Sequence, residues 1–183
     1  SFSFLNNFVR QISNAGTERF TIHARKAFLK GLNPKENRNI PPLRYDVVKR
    51  LKDENPSLFI EINGGFTSIN QCIDGLKIFD GIMIGRSAYK YPLRWREIDN
   101  KIYGDKFLPL KASDVIFSLI PYIESHLENN QRSWDICKHL INIVESIPNA
   151  KQWRNKLSNL SIKGLLNIEM LIALTKELER MGY

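Results

Sequence analysis

Two adjacent glycines, Gly64 and Gly65, stand behind Asn63 at the end of the apolar run Leu58-Phe-Ile-Glu-Ile62. Without Cβ atoms they let backbone N–H groups come close to a ligand, and donors placed between a strand end and a helix start suit a phosphate. The same Asn-Gly-Gly also serves tight strand-to-helix turns for conformational reasons alone. One strand later Gly85-Arg86 repeats the arrangement, and Arg86 adds a guanidinium fork that matches two phosphate oxygens. Two successive strand ends of this kind are harder to ascribe to turn geometry than one. His23 closes a third run, Arg19-Phe-Thr-Ile. An imidazole there is either a core group bonded to backbone or a ligand contact, and its register with the other two strand ends favours the ligand. His23, Asn63, Gly64, Gly65, Gly85 and Arg86 therefore read as a binding site that flavin mononucleotide (FMN) or a sugar phosphate would fit.

Each of these residues needs an element to deliver it. Phe4, Leu5, Phe8, Val9 and Ile12 recur at helical spacing, and Asn14-Ala-Gly16 supplies a stop. Arg19–His23 reads as a short buried strand. The segment 31–42, rich in Gly, Asn and Pro, reads as a long irregular loop. A second helix carries Tyr45, Val48 and Leu51, a second strand spans 58–62, a helix follows from about Ser68 to Leu76, and a third strand spans 81–84. This alternation predicts a parallel sheet covered on both faces, with every candidate residue at the C-terminal ends of its strands. In (β/α)8 barrels that face carries the chemistry, and phosphates often bind the loops after strands seven and eight. From about Asp99 onward strand signals vanish. Apolar spacing of three to four predicts helices over 112–128, 134–147, 149–160 and 167–181, the last capped by Asn167.

Composition narrows the function classes. With 183 residues, 43% hydrophobic and 25% charged, the chain can bury a core. It has no apolar stretch long enough for a membrane span, and its first residues lack the basic start of a signal peptide. Beginning partway into an amphipathic helix, Ser1 points to further sequence upstream. The two cysteines, Cys72 and Cys137, lack metal spacing, and the three histidines, His23, His126 and His139, form no zinc pattern; no metal site is expected, and a reduced, cytoplasmic setting is. The formal charge is +8, and Lys plus Arg exceed Asp plus Glu by six over residues 1–100 but by two over residues 101–183. The excess gathers in Arg25, Lys26, Lys30, Lys35, Arg38 and Arg44, against the single acid Glu36. Such a stripe is either a solvated loop or a contact for a polyanion such as nucleic acid.

The most specific pattern in the chain is His23-Ala-Arg-Lys-Ala, continued by Pro34-Lys-Glu-Asn-Arg38 and Pro41-Pro42. With Ile62-Asn-Gly-Gly65 and Asp80-Gly-Ile-Met-Ile-Gly-Arg86 it resembles the tRNA-dihydrouridine synthase family. It most closely resembles the A-type bacterial enzymes, which modify uridines 20 and 20a of the tRNA D-loop. Pro148-Asn-Ala-Lys-Gln-Trp-Arg154 extends the match, with Asn149 where the family carries glycine. Effectively the whole chain is covered, in order.

The resemblance implies the last three β/α units of a TIM barrel over residues 1–100, followed by an all-α helical tRNA-binding domain over residues 101–183. It implies FMN on the barrel's C-terminal face, with His23 near the flavin ring or ribityl chain, Asn63, Gly64 and Gly65 at the phosphate, and Gly85 and Arg86 completing the cradle. NADPH is the implied reductant, and tRNA the partner of a full-length monomer. Lys35 and Arg38 are the candidate tRNA contacts near the target base, and Lys151 and Arg154 those of the helical domain. Trp153 between the latter reads as core. The family's general-acid cysteine, in an Asn-x-x-Cys-Pro context on an earlier strand, has no counterpart here, since Cys72 and Cys137 read as small buried hydrophobes. A fragment inactive on its own is the expectation, and a truncated non-catalytic tRNA-binding module is the rival.

Overall fold

Polar and apolar residues alternate in Arg19-Phe-Thr-Ile-His23 and, after Phe59, in Ile60-Glu-Ile-Asn63, and this period of two forms strands β1 (Arg19–His23) and β2 (Phe59–Asn63). A third strand, β3 (Gly81–Met83), lies on the far side of β2, and all neighbours are parallel. The computed structural model describes residues 1–144 and 147–183, and these divide into two units, Ser1–Gly85 and Arg86–Tyr183.

In the first unit, helices α1 (Phe2–Asn14), α3 (Tyr45–Glu54) and α4 (Ile69–Leu76) accompany the sheet. Ser1 and Ser68 cap α1 and α4, their side chains accepting the N–H groups of Phe4 and Gln71. Val9, Val48, Leu51, Ile60, Ile62 and Cys72 form the buried core. Each large apolar side chain among them contributes about 1.5–3 kcal/mol. Because Ile60 and Ile62 share one face, a one-residue slip of β2 would turn both outward, which fixes the register.

The sheet differs from expectation in being covered on one face only. Arg19, Thr21 and His23 on β1 are exposed, and β2 alternates between half-buried and buried residues. The open face is not apolar but wired. Glu61 accepts a 2.7 Å bond from the Thr21 hydroxyl and pairs with Arg19 at 3.0 Å, while the Arg19 guanidinium lies 4.4 Å from the centroid of the Phe59 ring. The Thr21 bond, seconded by Arg19, holds the Glu61 carboxyl below its ordinary range despite some burial. At the entrance to β3, Asp80 accepts the Ile60 N–H at 2.8 Å and pairs with Lys52 at 2.7 Å, tying the helix side of the unit to the strand register.

The segment expected to be irregular, 31–42, contains a helical turn, α2 (Pro34–Asn37). A capping box starts it: Asn33 Oδ1 accepts the N–H groups of Lys35 and Glu36, each at 2.9 Å, and Glu36 accepts the Asn33 N–H at 2.8 Å.

The second unit opens with α5 (Arg86–Lys90), a 3-10 turn (Pro92–Trp95) and a single π-helical turn (Asp99–Tyr103), none of which the periodicity predicts. Four longer helices follow, α6 (Ala112–Glu128), α7 (Trp134–Leu140), α8 (Ala150–Ile162) and α9 (Ile168–Arg180). The helix predicted over 134–147 stops at Leu140, and its residues 145 and 146 lie outside the described ones. Asn167 does cap α9, accepting the Met170 N–H at 2.8 Å. Ile116, Ile123, Leu157, Leu171 and Leu178 are fully buried together with Trp153, whose indole N–H donates to the Leu174 carbonyl at 2.8 Å. Trp153 is thus a core residue. Asn149, just before α8, sits at φ +63°. That left-handed conformation favours glycine, and asparagine is among the side chains that best tolerate it.

Candidate functional site

Parallel pairing sets His23 beside Asn63 and Asn63 beside Met83 at the C-terminal edge of the sheet. The alternation that half-buries Ile22 and buries Ile62 turns this row toward the open face. Asn63 donates through its side-chain amide to the Met83 sulfur at 3.0 Å, and its carbonyl accepts the Ala24 N–H at 2.8 Å. The imidazole of His23 is oriented from within its own loop, because the Arg25 amide donates to Nδ1 at 3.1 Å. An amide N–H can only donate, so Nδ1 is the acceptor in that bond, which leaves Nε2 as the ring's donor.

The glycine pair has a conformational role and a packing role. Gly64 and Gly65 adopt φ +125° and +80°, where a side chain is strained. A Cβ on Gly64 would come within 2.9 Å of a Leu43 methyl and 3.5 Å of His23 Cε1; one on Gly65 would meet Leu43 at 2.5 Å and the Tyr45 hydroxyl at 3.0 Å. Tyr45 donates to the Gly64 carbonyl at 2.5 Å while its ring stacks on Phe66, with centroids 5.6 Å apart. Burial pushes the Tyr45 phenol above its ordinary value, against the pull of Arg25, so the donor keeps its proton. Gly85 differs: a Cβ there meets nothing within 4 Å, so the space beside it is open. Arg86 follows directly, exposed, at the head of α5, where the second unit begins.

Among the predicted residues of the first unit, then, His23, Asn63 and Gly64 meet on neighbouring strand ends, with Gly65 continuing the turn. The acid Glu61 lies one layer further down the strand, engaged by Thr21 and Arg19. An imidazole N–H, a carboxamide and a glycine turn, with open space beside Gly85, fit an anion such as a flavin phosphate.

The basic loop that leaves β1 is organised rather than slack. The Asn37 side chain accepts the Phe28 N–H at 2.7 Å and donates to the carbonyls of Phe28, Leu32 and Asn33 at 2.9, 3.1 and 3.3 Å. The Arg25 guanidinium donates to the carbonyls of Asn39 and Pro41, and the Arg44 amide donates to the Ala24 carbonyl at 2.7 Å, closing the base of the loop. Lys26, Lys30, Lys35 and Arg38 are exposed, and Arg44 is engaged by Asp46 through bonds of 3.0 and 2.8 Å. In the second unit Lys151 is exposed and Arg154 half-buried on α8, and neighbouring Lys156 is paired with Glu177 at 2.9 Å. His139 and His126, given no role from sequence, bond the Tyr89 hydroxyl at 2.8 Å and the Arg132 carbonyl at 3.3 Å.

Sequence reasoning gave no site role to Asn37, Leu43 and Tyr45, and placed Arg25 only in the basic stripe. The capping-box spacing Asn33-Pro-Lys-Glu36 was the one signal that the loop has structure; Leu43 and Tyr45 act across the chain and leave no local mark. Cys72 and Cys137 are free thiols, buried, and pushed above their ordinary range by that burial. Among the described residues no group of His, Cys, Asp and Glu could hold a metal, and no helix is long and apolar enough to cross a membrane.

The sequence profile of the family described as dihydrouridine synthase (Dus) matches residues 2–179. A tRNA-dihydrouridine(20/20a) synthase of Synechocystis sp. is 42% identical over 171 residues, which is 93% of this chain and 51% of the relative. The protein of that name from Shewanella oneidensis gives the same 42% over 171 residues, with the same coverage of 93% and 51%. One from Vibrio cholerae is 40% identical over 177 residues, covering 94% of this chain and 54% of its own. This chain therefore spans about half the length of these relatives. It belongs to the dihydrouridine synthase family.

Proposed function

We propose that the protein containing this chain reduces uridine to 5,6-dihydrouridine in the D-loop of tRNA, at positions 20 and 20a, using FMN and NADPH. Residues 1–100 then form the last three β/α units of a TIM barrel, and residues 101–183 a helical tRNA-binding domain. The observation that carries the reading is the row His23, Asn63 and Gly64 on the open face of the sheet, at the strand ends where such barrels bind ligands. Membership of the family supports it. That open face becomes the inner wall of the barrel, which accounts for its wired Arg19–Glu61–Thr21 layer.

Bound FMN, recharged by NADPH, supplies the hydride that saturates the C5–C6 bond of uracil. The chain's own residues hold and orient it. His23 offers its Nε2–H toward the flavin, Asn63, Gly64 and Gly65 hold the ribityl phosphate, and Gly85 and Arg86 complete the grip. Leu43 and Tyr45 fix the glycine turn from behind. The proton for C5 comes from a cysteine outside residues 1–183, since Cys72 and Cys137 are sealed in their cores. Lys35, Arg38, Lys151 and Arg154 meet tRNA phosphates, whose attraction supplies the energy to draw the base from its stack. The setting is the cytoplasm, the full-length protein is a monomer, and three strands alone, unable to close a barrel, are inactive.

The test is mass spectrometry of an unmodified tRNA transcript incubated with the full-length protein, FMN and NADPH. A gain of two hydrogens at D-loop uridines 20 and 20a is expected. Reduction confined to other positions, or none with FMN bound, overturns the assignment.

A further inference from the structure

The loop from Ala24 to Leu43 carries an exposed apolar tip. Leu29 is 97% exposed, and Phe28 beside it 48%. Apolar groups this open ordinarily fold back or sit on mobile tips. Here the backbone around them is pinned, because the Asn37 carboxamide holds both the N–H and the carbonyl of Phe28, and the capping box of α2 fixes the return strand of the loop. The feet of the loop stand on the candidate rim: Ala24 bonds Asn63, and Leu43 packs where side chains on Gly64 and Gly65 would lie. The same loop carries the exposed cations Lys26, Lys30, Lys35 and Arg38, with Lys26 and Lys30 close to the tip in the chain. The only acid of the loop, Glu36, is turned inward to cap Asn33.

We propose that Leu29 is a wedge that enters the base stack of the RNA beside the reducible uridine. This rests on the reading of the protein as a tRNA-modifying enzyme. A base drawn into a pocket leaves a gap, and an apolar side chain filling that gap opposes its return. The cations of the loop, set against one acid already bonded to Asn33, favour RNA as the occupant over an apolar protein surface, since phosphates flank any gap in a base stack. The rigidity of the loop matters because the ordering entropy is met on folding rather than on binding. Asn37 is the residue that positions the wedge.

The experiment uses the full-length protein and an unmodified tRNA transcript carrying 2-aminopurine next to the reducible uridine. Binding is followed at several salt concentrations, together with the fluorescence rise that reports unstacking. Leu29→Ala, which removes no packing, is expected to abolish most of the fluorescence rise and to weaken binding about tenfold, with the salt dependence unchanged. Leu29→Met restores both, and Lys30→Ala instead lowers the salt slope by about one unit. Wild-type binding with Leu29→Ala unstacking the base normally overturns the wedge while leaving the tRNA reading intact. Wild-type protein that binds no tRNA overturns that reading, and the wedge with it. Loss of binding to anionic phospholipid vesicles in Leu29→Ala, with tRNA binding unaltered, makes the loop a membrane contact and also overturns the proposal.

Discussion

Trp153→Ala is expected to lower the local stability of the second unit by about 3–5 kcal/mol, which hydrogen exchange reads as a loss of about two to four orders of magnitude in amide protection along α8 and α9. The indole is the largest of the fully buried side chains among the described residues and shares one core cluster with Ile116, Leu157, Leu171 and Leu178. Its removal leaves a cavity that these branched side chains only partly refill, and it strips the Leu174 carbonyl of a buried donor. Trp153→Phe separates the two contributions, because it keeps most of the ring volume and loses the hydrogen bond; a cost of about 1–2 kcal/mol is expected for it. Equal protection in Trp153→Ala and wild type would show that the residue is not core. It would then return Trp153 to the surface as a partner for a base between Lys151 and Arg154.

Gly65→Ala is expected to cost the first unit about 2–3 kcal/mol. The backbone at φ +80° accounts for roughly 1 kcal/mol of this, and the rest comes from contact. The new methyl lands 2.5 Å from a Leu43 methyl and 3.0 Å from the Tyr45 hydroxyl. Leu43 can rotate away, but Tyr45 is held between the Gly64 carbonyl and the face of Phe66, so the turn has to move. Exchange of the β2 and α4 amides measures the effect. Gly85→Ala is the control, since a Cβ there meets nothing; its stability is expected to match wild type. Identical protection in Gly65→Ala and Gly85→Ala would mean that the glycine pair is not clamped by Leu43 and Tyr45.

These two sites show what a sequence can and cannot disclose. The strand ends were readable because periodicity and glycine placement are local: Arg19–His23 forms the strand expected of it, and Ser68 and Asn167 begin their helices as caps do. The alternation in Arg19-Phe-Thr-Ile-His23 and Ile60-Glu-Ile-Asn63 also carried the news that one face of the sheet is polar. The expectation of a sheet covered on both faces weighed the apolar residues and passed over the charged layer. Short helices such as Arg86–Lys90 and Pro92–Trp95 complete too few turns for a period to show. The clamp on the glycine turn was hidden for a different reason: Leu43 and Tyr45 reach it through tertiary packing, and nothing in their local sequence announces it.

The most direct test asks whether a phosphate is what the rim holds. Full-length protein stripped of flavin is titrated with FMN and with riboflavin, which lacks only the phosphate. Binding of FMN about a hundredfold or more tighter than riboflavin is predicted, with Arg86→Ala giving up about ten- to a hundredfold of that advantage and leaving riboflavin unaffected. Equal affinity for the two flavins, in wild type and variant alike, would contradict the account.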